Sequence, residues 1–221
     1  MTKNQKAKLK KQILSGVVLG GILMGNATVS AEITDSQEYQ NDVTVSEDVN
    51  IADGHVAVIA YYDRANINLN GNVTIGSTDD YALLAKGARS GHDNVLNVNM
   101  DGAHTVKIVG NVKAEVTHTV DGAVGVGAVN LMLSNSESYL AGSLSANMGT
   151  TNWSMERYAQ IKLHLNNGAT WYVPSSDSAY ALSSATISVD ADGGNIDLWH
   201  ATPATVTRST AGNRILGFSG V

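Results

Sequence analysis

The sequence predicts an all-β chain built as a parallel β-solenoid, and three observations carry that expectation. The first is a recurring element of two apolar residues flanking a third: Ile67-Asn68-Leu69, Leu96-Asn97-Val98, Leu131-Met132-Leu133, Leu163-His164-Leu165 and Ile196-Asp197-Leu198. Its start-to-start steps are 29, 35, 32 and 33 residues. Repetition of one strand-rich unit at such a period marks a solenoid, in which each unit buries its apolar face only by stacking on its neighbours. The second is period-two alternation: Asn66, Asn68, Asn70 and Asn72 interleave with Ile67, Leu69, Gly71 and Val73. That spacing places the branched residues on one face of a strand and the asparagines on the other. The third is composition: no Cys, one Phe, two Pro and 22 Gly leave packing and backbone ladders, rather than disulfides, to hold the fold.

Taken in order, residues 1–31 read as a secretory signal peptide. Lys3, Lys6, Lys8, Lys10 and Lys11 form a basic leader, residues 13–24 an apolar run, and Val29-Ser30-Ala31 a small-residue cleavage site. The competing reading is a retained anchor, but a dozen apolar residues are short of the ~20 that span a bilayer. Without the leader, nine basic side chains face twenty acidic ones, a net of about −11. Such a surface repels phosphate backbones, which excludes sequence-independent nucleic-acid binding.

Residues 32–60 are acidic and irregular, with a strand expected at Val43-Thr44-Val45, and suit an entry segment or N-terminal cap. Residues 61–221 form the solenoid proper. The stretch 94–99 repeats the alternation, Asp101-Gly102 marks a turn, and Val106 and Ile108 share a face of the next strand. Gly-Asn-Val at 71–73 and again at 110–112 suggests one strand-opening turn in successive units. Leu131 to Tyr139 aligns with Leu163 to Trp171, the aromatic following at the same spacing. Residues 122–136 carry no charge, as suits a stretch covered by neighbouring turns. Helical propensity is confined to 81–89 and 153–160. Residues 76–80 and 90–93 look like connections projecting from the stack.

No residue is assigned a catalytic, cofactor-binding or metal-binding role. The six His lack H-x-H or H-E-x-x-H spacing, and His104 and His118 each open a His-Thr-Val strand entry. Asp192-Gly193-Gly194-Asn195-Ile196-Asp197 is a single degenerate copy of a calcium-binding nonapeptide, whereas that site needs stacked copies. Gly217-Phe218-Ser219-Gly220 lacks the spacing of a nucleophile elbow, and Gly122, Gly125 and Gly127 lack that of a dinucleotide loop. Asp79-Asp80 and Asp190 with Asp192 are paired carboxylates, but neighbours on a strand do not face each other across a cleft. Trp171, Tyr172, Trp199, Tyr61 and Tyr62 are either sugar-stacking residues or fillers of the stack.

Over 161–199 the cadence Leu163-His-Leu-Asn-Asn-Gly-Ala-Thr-Trp171-Tyr-Val173, then Ser175-Ser176, then Gly193-Gly194-Asn-Ile-Asp-Leu198 resembles the C-terminal passenger region of monomeric autotransporters, the pertactin-like β-helix. The likeness is looser over 66–160. It implies a right-handed parallel β-helix displayed on or released from the outer membrane, acting as an adhesin, in host interaction or in biofilm. It also implies a translocator barrel of about a dozen strands. Only 23 residues follow Leu198, so the expectation is a truncated or split passenger or a stand-alone solenoid, periplasmic where no translocator exists.

The leading expectation is therefore a non-enzymatic secreted or surface scaffold that binds a host surface protein or a glycan, with no cofactor and no membrane span after leader removal. The alternatives are a β-helical polysaccharide lyase or other carbohydrate-active enzyme, and a self-associating fibre or matrix subunit.

Overall fold

The computed structural model describes residues 27–29, 32–60, 64–87, 92–116, 125–147, 159–174, 179–182, 185–197 and 214–219. Among them there is no helix, and every pairing between named strands is parallel. The chain starts with β1 (Ala27–Val29) and β2 (Gln37–Tyr39), then winds through β3 (Val43–Val45), β4 (Val49–Ile51) and β5 (Val56–Val58). The next turn holds β6 (Ala65–Leu69), β7 (Val73–Gly76) and β8 (Leu83–Gly87), followed by β9 (Asn94–Val98), β10 (Val106–Val109) and β11 (Val112–Val116). Then come β12 (Gly127–Leu133), β13 (Tyr139–Ala141) and β14 (Leu144–Asn147), and β15 (Gln160–Leu165), β16 (Thr170–Tyr172) and β17 (Ala179–Leu182). Last are β18 (Thr186–Asp190), β19 (Asn195–Asp197) and β20 (Arg214–Ser219).

These strands rotate through three sheets. The first sheet runs β1-β3-β6-β9-β12-β15-β18-β20, the second β4-β7-β10-β13-β16-β19 and the third β2-β5-β8-β11-β14-β17. The result is a three-sided parallel β-solenoid, as the repeat predicts. Residues 32–60, expected to be an entry segment or cap, supply β2 to β5 and belong to the same three sheets. β1, at the end of the expected leader, pairs with β3; residues 1–26, 30 and 31 lie outside the described residues.

The core is a set of ladders running along the stack. On the first sheet Ile67, Leu96, Val129, Ile161 and Ile187 pair rung to rung, beside Leu69, Val98, Leu131, Leu163 and Val189. On the second Ile51, Ile75, Ile108, Leu140 and Trp171 do the same. The third contributes Val56, Leu83, Val112 and Leu144, beside Val58, Ala85, Ala114 and Ala146. All of these are buried. Alternation produces this directly, because every second side chain of an extended strand points the same way.

The repeat itself is less regular than the recurring element implies. Along the first sheet the in-register step is 24 residues from Val43 to Ile67, 29 to Leu96, 33 to Val129, then 32 from Leu131 to Leu163 and 26 from Leu163 to Val189. Two expected equivalences therefore change. Leu131 sits beside Val98, not Leu96, and Ile196 belongs to the second sheet, where it stacks on Trp171. Gly-Asn-Val opens β7 of the second sheet at 71–73 but β11 of the third at 110–112, so the two copies are not the same turn. The stretch 81–89, given helical propensity, contains β8, whose Leu83, Leu84 and Ala85 are buried between flanking rungs; tertiary burial overrides a weak local preference. Residues 153–158 lie outside the described residues, and Gln160 begins β15.

Polar side chains stitch the corner between the first and second sheets. Asp48 accepts from the backbone and side-chain nitrogens of Asn72 (3.0 and 3.1 Å), Asn72 Oδ1 accepts from the Thr105 amide (3.0 Å), and Asn135 Nδ2 donates to the Thr105 hydroxyl (3.2 Å). Asn99 is fully buried there with φ 53°, a left-handed conformation that Asn tolerates better than most residues. Its side chain accepts from the His104 amide and donates to the carbonyls of His104 and Met132. Buried amides persist only when paired in this way.

Candidate binding surface

With the interior filled by ladders, chemistry is left to the three outer faces. On the first sheet the outward column is Asn68, Asn97 and Asn130. Asn97 Nδ2 donates to Asn68 Oδ1 at 2.9 Å, and Asn130 Nδ2 to Asn97 Oδ1 at 2.8 Å. The same column continues as Lys162 and Ser188. His164 lies 3.7 Å from Asp190 on that face. This surface largely consumes its own hydrogen-bonding capacity.

The second sheet presents a different exterior. One outward column reads Asn50, Thr74, Lys107, Tyr139, Thr170 and Asn195; in the other, Gly76, Val109, Ala141, Tyr172 and Asp197 follow one another. Val109 is 48% exposed and Tyr172 39%. The Tyr139 and Tyr172 rings meet edge to face, centroids 6.1 Å apart at 70°, an arrangement the ring quadrupoles favour. Lys107 lies 3.8 Å from Glu137.

Local sequence fixes this face. Trp171 points inward, 3% exposed, and its indole N–H donates to the Gly142 carbonyl at 2.9 Å. Its neighbour Tyr172 must then point outward. The corner at Gly142-Ser143 is tight: a Cβ on Gly142 would lie 1.9 Å from the Gly110 carbonyl oxygen. Asn111 Oδ1 holds this corner by accepting from the Ser143 amide and hydroxyl at 3.1 and 2.7 Å. The equal spacing of Tyr139 and Trp171 after their leucines does not make them equivalent. The connection before β13 has five residues and that before β16 four, so Tyr139 pairs with Thr170 and Leu140 with Trp171. A one-residue difference reverses the face.

An acidic cluster occupies the edge of the third sheet. His55 Nδ1 is 3.1 Å from Asp79 Oδ2, its Nε2 is 3.7 Å from Glu38 Oε1, and its ring packs edge to face on Tyr81. Asp80 pairs with Lys113. Burial, then the charges of Glu38, Asp79, Glu115 and Asp80, push the Tyr81 hydroxyl above its ordinary pKa. Nearby, the Thr78 amide and then its hydroxyl hold Asp53 below its ordinary value. Among the described residues no hydroxyl is hydrogen-bonded to the His55 imidazole; the Ser36 hydroxyl accepts instead from the His55 amide. Asp79 and Asp80, adjacent in sequence, thus turn to different partners.

Of the other candidates, His104 is a backbone partner of Asn99, and Asp192 with Gly193 forms the turn into β19. Gly127 opens β12, and 217–219 lie in β20. Tyr61, Tyr62, His118, Trp199 and Gly122 lie outside the described residues. Sequence reasoning missed Val109 and Tyr139 as surface residues and the His55–Asp79 contact. The signal for the first two was strand parity around Ile108 and Leu140. No family model matches the chain, and neither do curated proteins or solved structures.

Proposed function

We propose that the chain is an exported binding scaffold of the autotransporter-passenger type: a right-handed parallel β-helix that is displayed at the cell surface or released and carries no catalytic activity. The observation that carries this reading is the contrast between a fully laddered interior and a sheet face on which Val109 and Tyr172 stand exposed beside Tyr139. The interior columns hold the stack, so the outward positions of this face are available for recognition, as the surfaces of repeat proteins commonly are. Supporting the non-catalytic part, the adjacent carboxylates Asp79 and Asp80 are each engaged by a separate base, His55 and Lys113. The basic leader and the small-residue site at Ala31 support export.

The test is fractionation of a Gram-negative host expressing the full chain, with N-terminal sequencing of the product. A periplasmic, surface or extracellular product beginning at Glu32 is expected. Full-length protein retained in the cytoplasm overturns the reading.

A further inference from the structure

We infer that the corner at Asn70-Gly71 is a site of spontaneous covalent modification, where the Asn70 side-chain amide is converted through a succinimide to a mixture of aspartyl and isoaspartyl acid. The chain has a second Asn-Gly pair, Asn167-Gly168, which the fold holds in its amide form. The two pairs share their local chemistry and differ in their surroundings, and that difference carries the inference.

The reaction needs no enzyme. The Gly71 amide nitrogen attacks Asn70 Cγ: the new N–C bond closes a five-membered ring, the Cγ–Nδ2 bond breaks, and the N–H proton leaves with the side-chain nitrogen as ammonia. Water then adds to one of the two ring carbonyls. Cleavage of the bond to Cγ restores an ordinary backbone bearing an aspartyl acid, whereas cleavage of the bond to the Asn70 carbonyl carbon leaves an isoaspartyl linkage with one extra backbone carbon. No electrons change hands, and water is the only co-reactant. A following glycine favours the attack, because without a Cβ the nitrogen is unshielded and the backbone turns freely towards the side chain.

Two groups must be free for the ring to close, the departing side-chain amide and the attacking backbone nitrogen. Asn70 is exposed and opens the connection 70–72 between β6 and β7. Its backbone amide donates to the Val45 carbonyl at 2.8 Å. Among the described residues, however, neither its side-chain amide nor the Gly71 amide nitrogen has a hydrogen-bond partner. At the second pair both groups are tied. Asn167 Nδ2 donates to the Ser134 carbonyl at 3.1 Å, and the Gly168 amide donates to the Gly193 carbonyl at 2.7 Å. Ring closure there must wait for a local opening that releases both bonds.

The corner at Asn70 has little tolerance for the products. A Cβ on Gly71 would lie 2.3 Å from the Glu47 carbonyl oxygen, and Asp48 accepts from the Asn72 amide at 3.0 Å. A new carboxylate therefore arises on a corner that already carries acidic residues, where like charges repel, and the isoaspartyl form inserts a backbone carbon where the chain packs closely.

The experiment incubates the purified full chain in heavy-oxygen water at mildly alkaline pH, once folded and once in urea, and follows both pairs by tandem mass spectrometry of proteolytic peptides. The isotope marks conversions that occur during the incubation. In the folded protein Asn70 is expected to convert at least tenfold faster than Asn167 and to yield both acids, and in urea the two rates should converge. Asn70→Gln, whose longer side chain would have to close a six-membered ring, should lose the conversion at that position and leave Asn167 unchanged. A folded-state rate at Asn167 equal to or above that at Asn70 overturns the inference. So does an Asn70 that keeps its amide in the folded protein, or one that yields aspartyl acid with no isoaspartyl form.

Discussion

The outer faces of the first and second sheets sit on the same core, yet they dispose of their polar groups in opposite ways. On the first, Asn68, Asn97 and Asn130 hydrogen-bond to one another along the stack. On the second, the equivalent columns alternate Lys107, Tyr139 and Thr170 with Val109, Ala141 and Tyr172, and two of these apolar side chains remain exposed. Inside, both sheets follow one rule, a column of branched or aromatic residues. The difference teaches that the interior alone specifies the solenoid. Outward positions are free either to reinforce it, as the asparagines do, or to be spent on recognition.

The largest effect should come from the interior the two faces share. Leu131→Ala opens a cavity between Val98 and Leu163 and is expected to cost ~2–5 kcal/mol, read as a lower urea midpoint. A cost below ~1 kcal/mol would mean that the ladders are not what holds the stack.

A second effect isolates a buried hydroxyl that has no hydrogen-bond partner among the described residues. Tyr39 is 2% exposed, its hydroxyl has no partner, and burial raises it to about 12. In the unfolded chain the phenol titrates near 10. Its contribution to stability is therefore present in full below pH 10 and is lost as pH rises towards 12, about 2–3 kcal/mol in all. Tyr39→Phe should remove that alkaline loss and be neutral or slightly stabilising at pH 7, as denaturation at the two pH values will check.

Smaller effects bear on the exteriors themselves. Asn97→Ala deletes both bonds of the ladder, and a loss of ~1–2 kcal/mol is expected. Tyr172→Ala removes the edge-to-face contact with Tyr139 and is expected to cost ~0.5–1.5 kcal/mol, less than Asn97→Ala. A larger loss than Asn97→Ala in a thermal melt would erase the contrast between the two faces.

The architecture was legible because alternation and repetition are properties of single strands. Register was not, because all three sheets use the same alternation and only corner length tells them apart. Connections between the first and second sheets run to three residues after β3 and β6, seven after β9, five after β12 and four after β15. The one-residue corner difference gave Tyr139 and Trp171 opposite faces despite equal spacing, while the varying length of the whole turn, 33 residues from Val98 to Leu131 and 26 from Leu163 to Val189, set Leu131 beside Val98 and left Ile196 to the second sheet. Of the candidate site, Tyr172 was visible as an aromatic but not as distinct in role from Trp171 beside it; strand parity separates them once one is known to be inside. The contact of His55 with Asp79 spans 24 residues and depends on a register no local pattern encodes.

The corner relay from Asp48 through Asn72 and Thr105 to Asn135 bears on how such a molecule comes into being. Each link joins one turn to the next, so a turn formed alone leaves its amides and carbonyls seeking partners that only a neighbour supplies. Order should then spread as a growing column, each added turn templated by the one before, and a chain threading a narrow passage would not stiffen until two adjacent turns had cleared it. The corner side chains would thus act as a ratchet, drawing strength from succession rather than from any single contact.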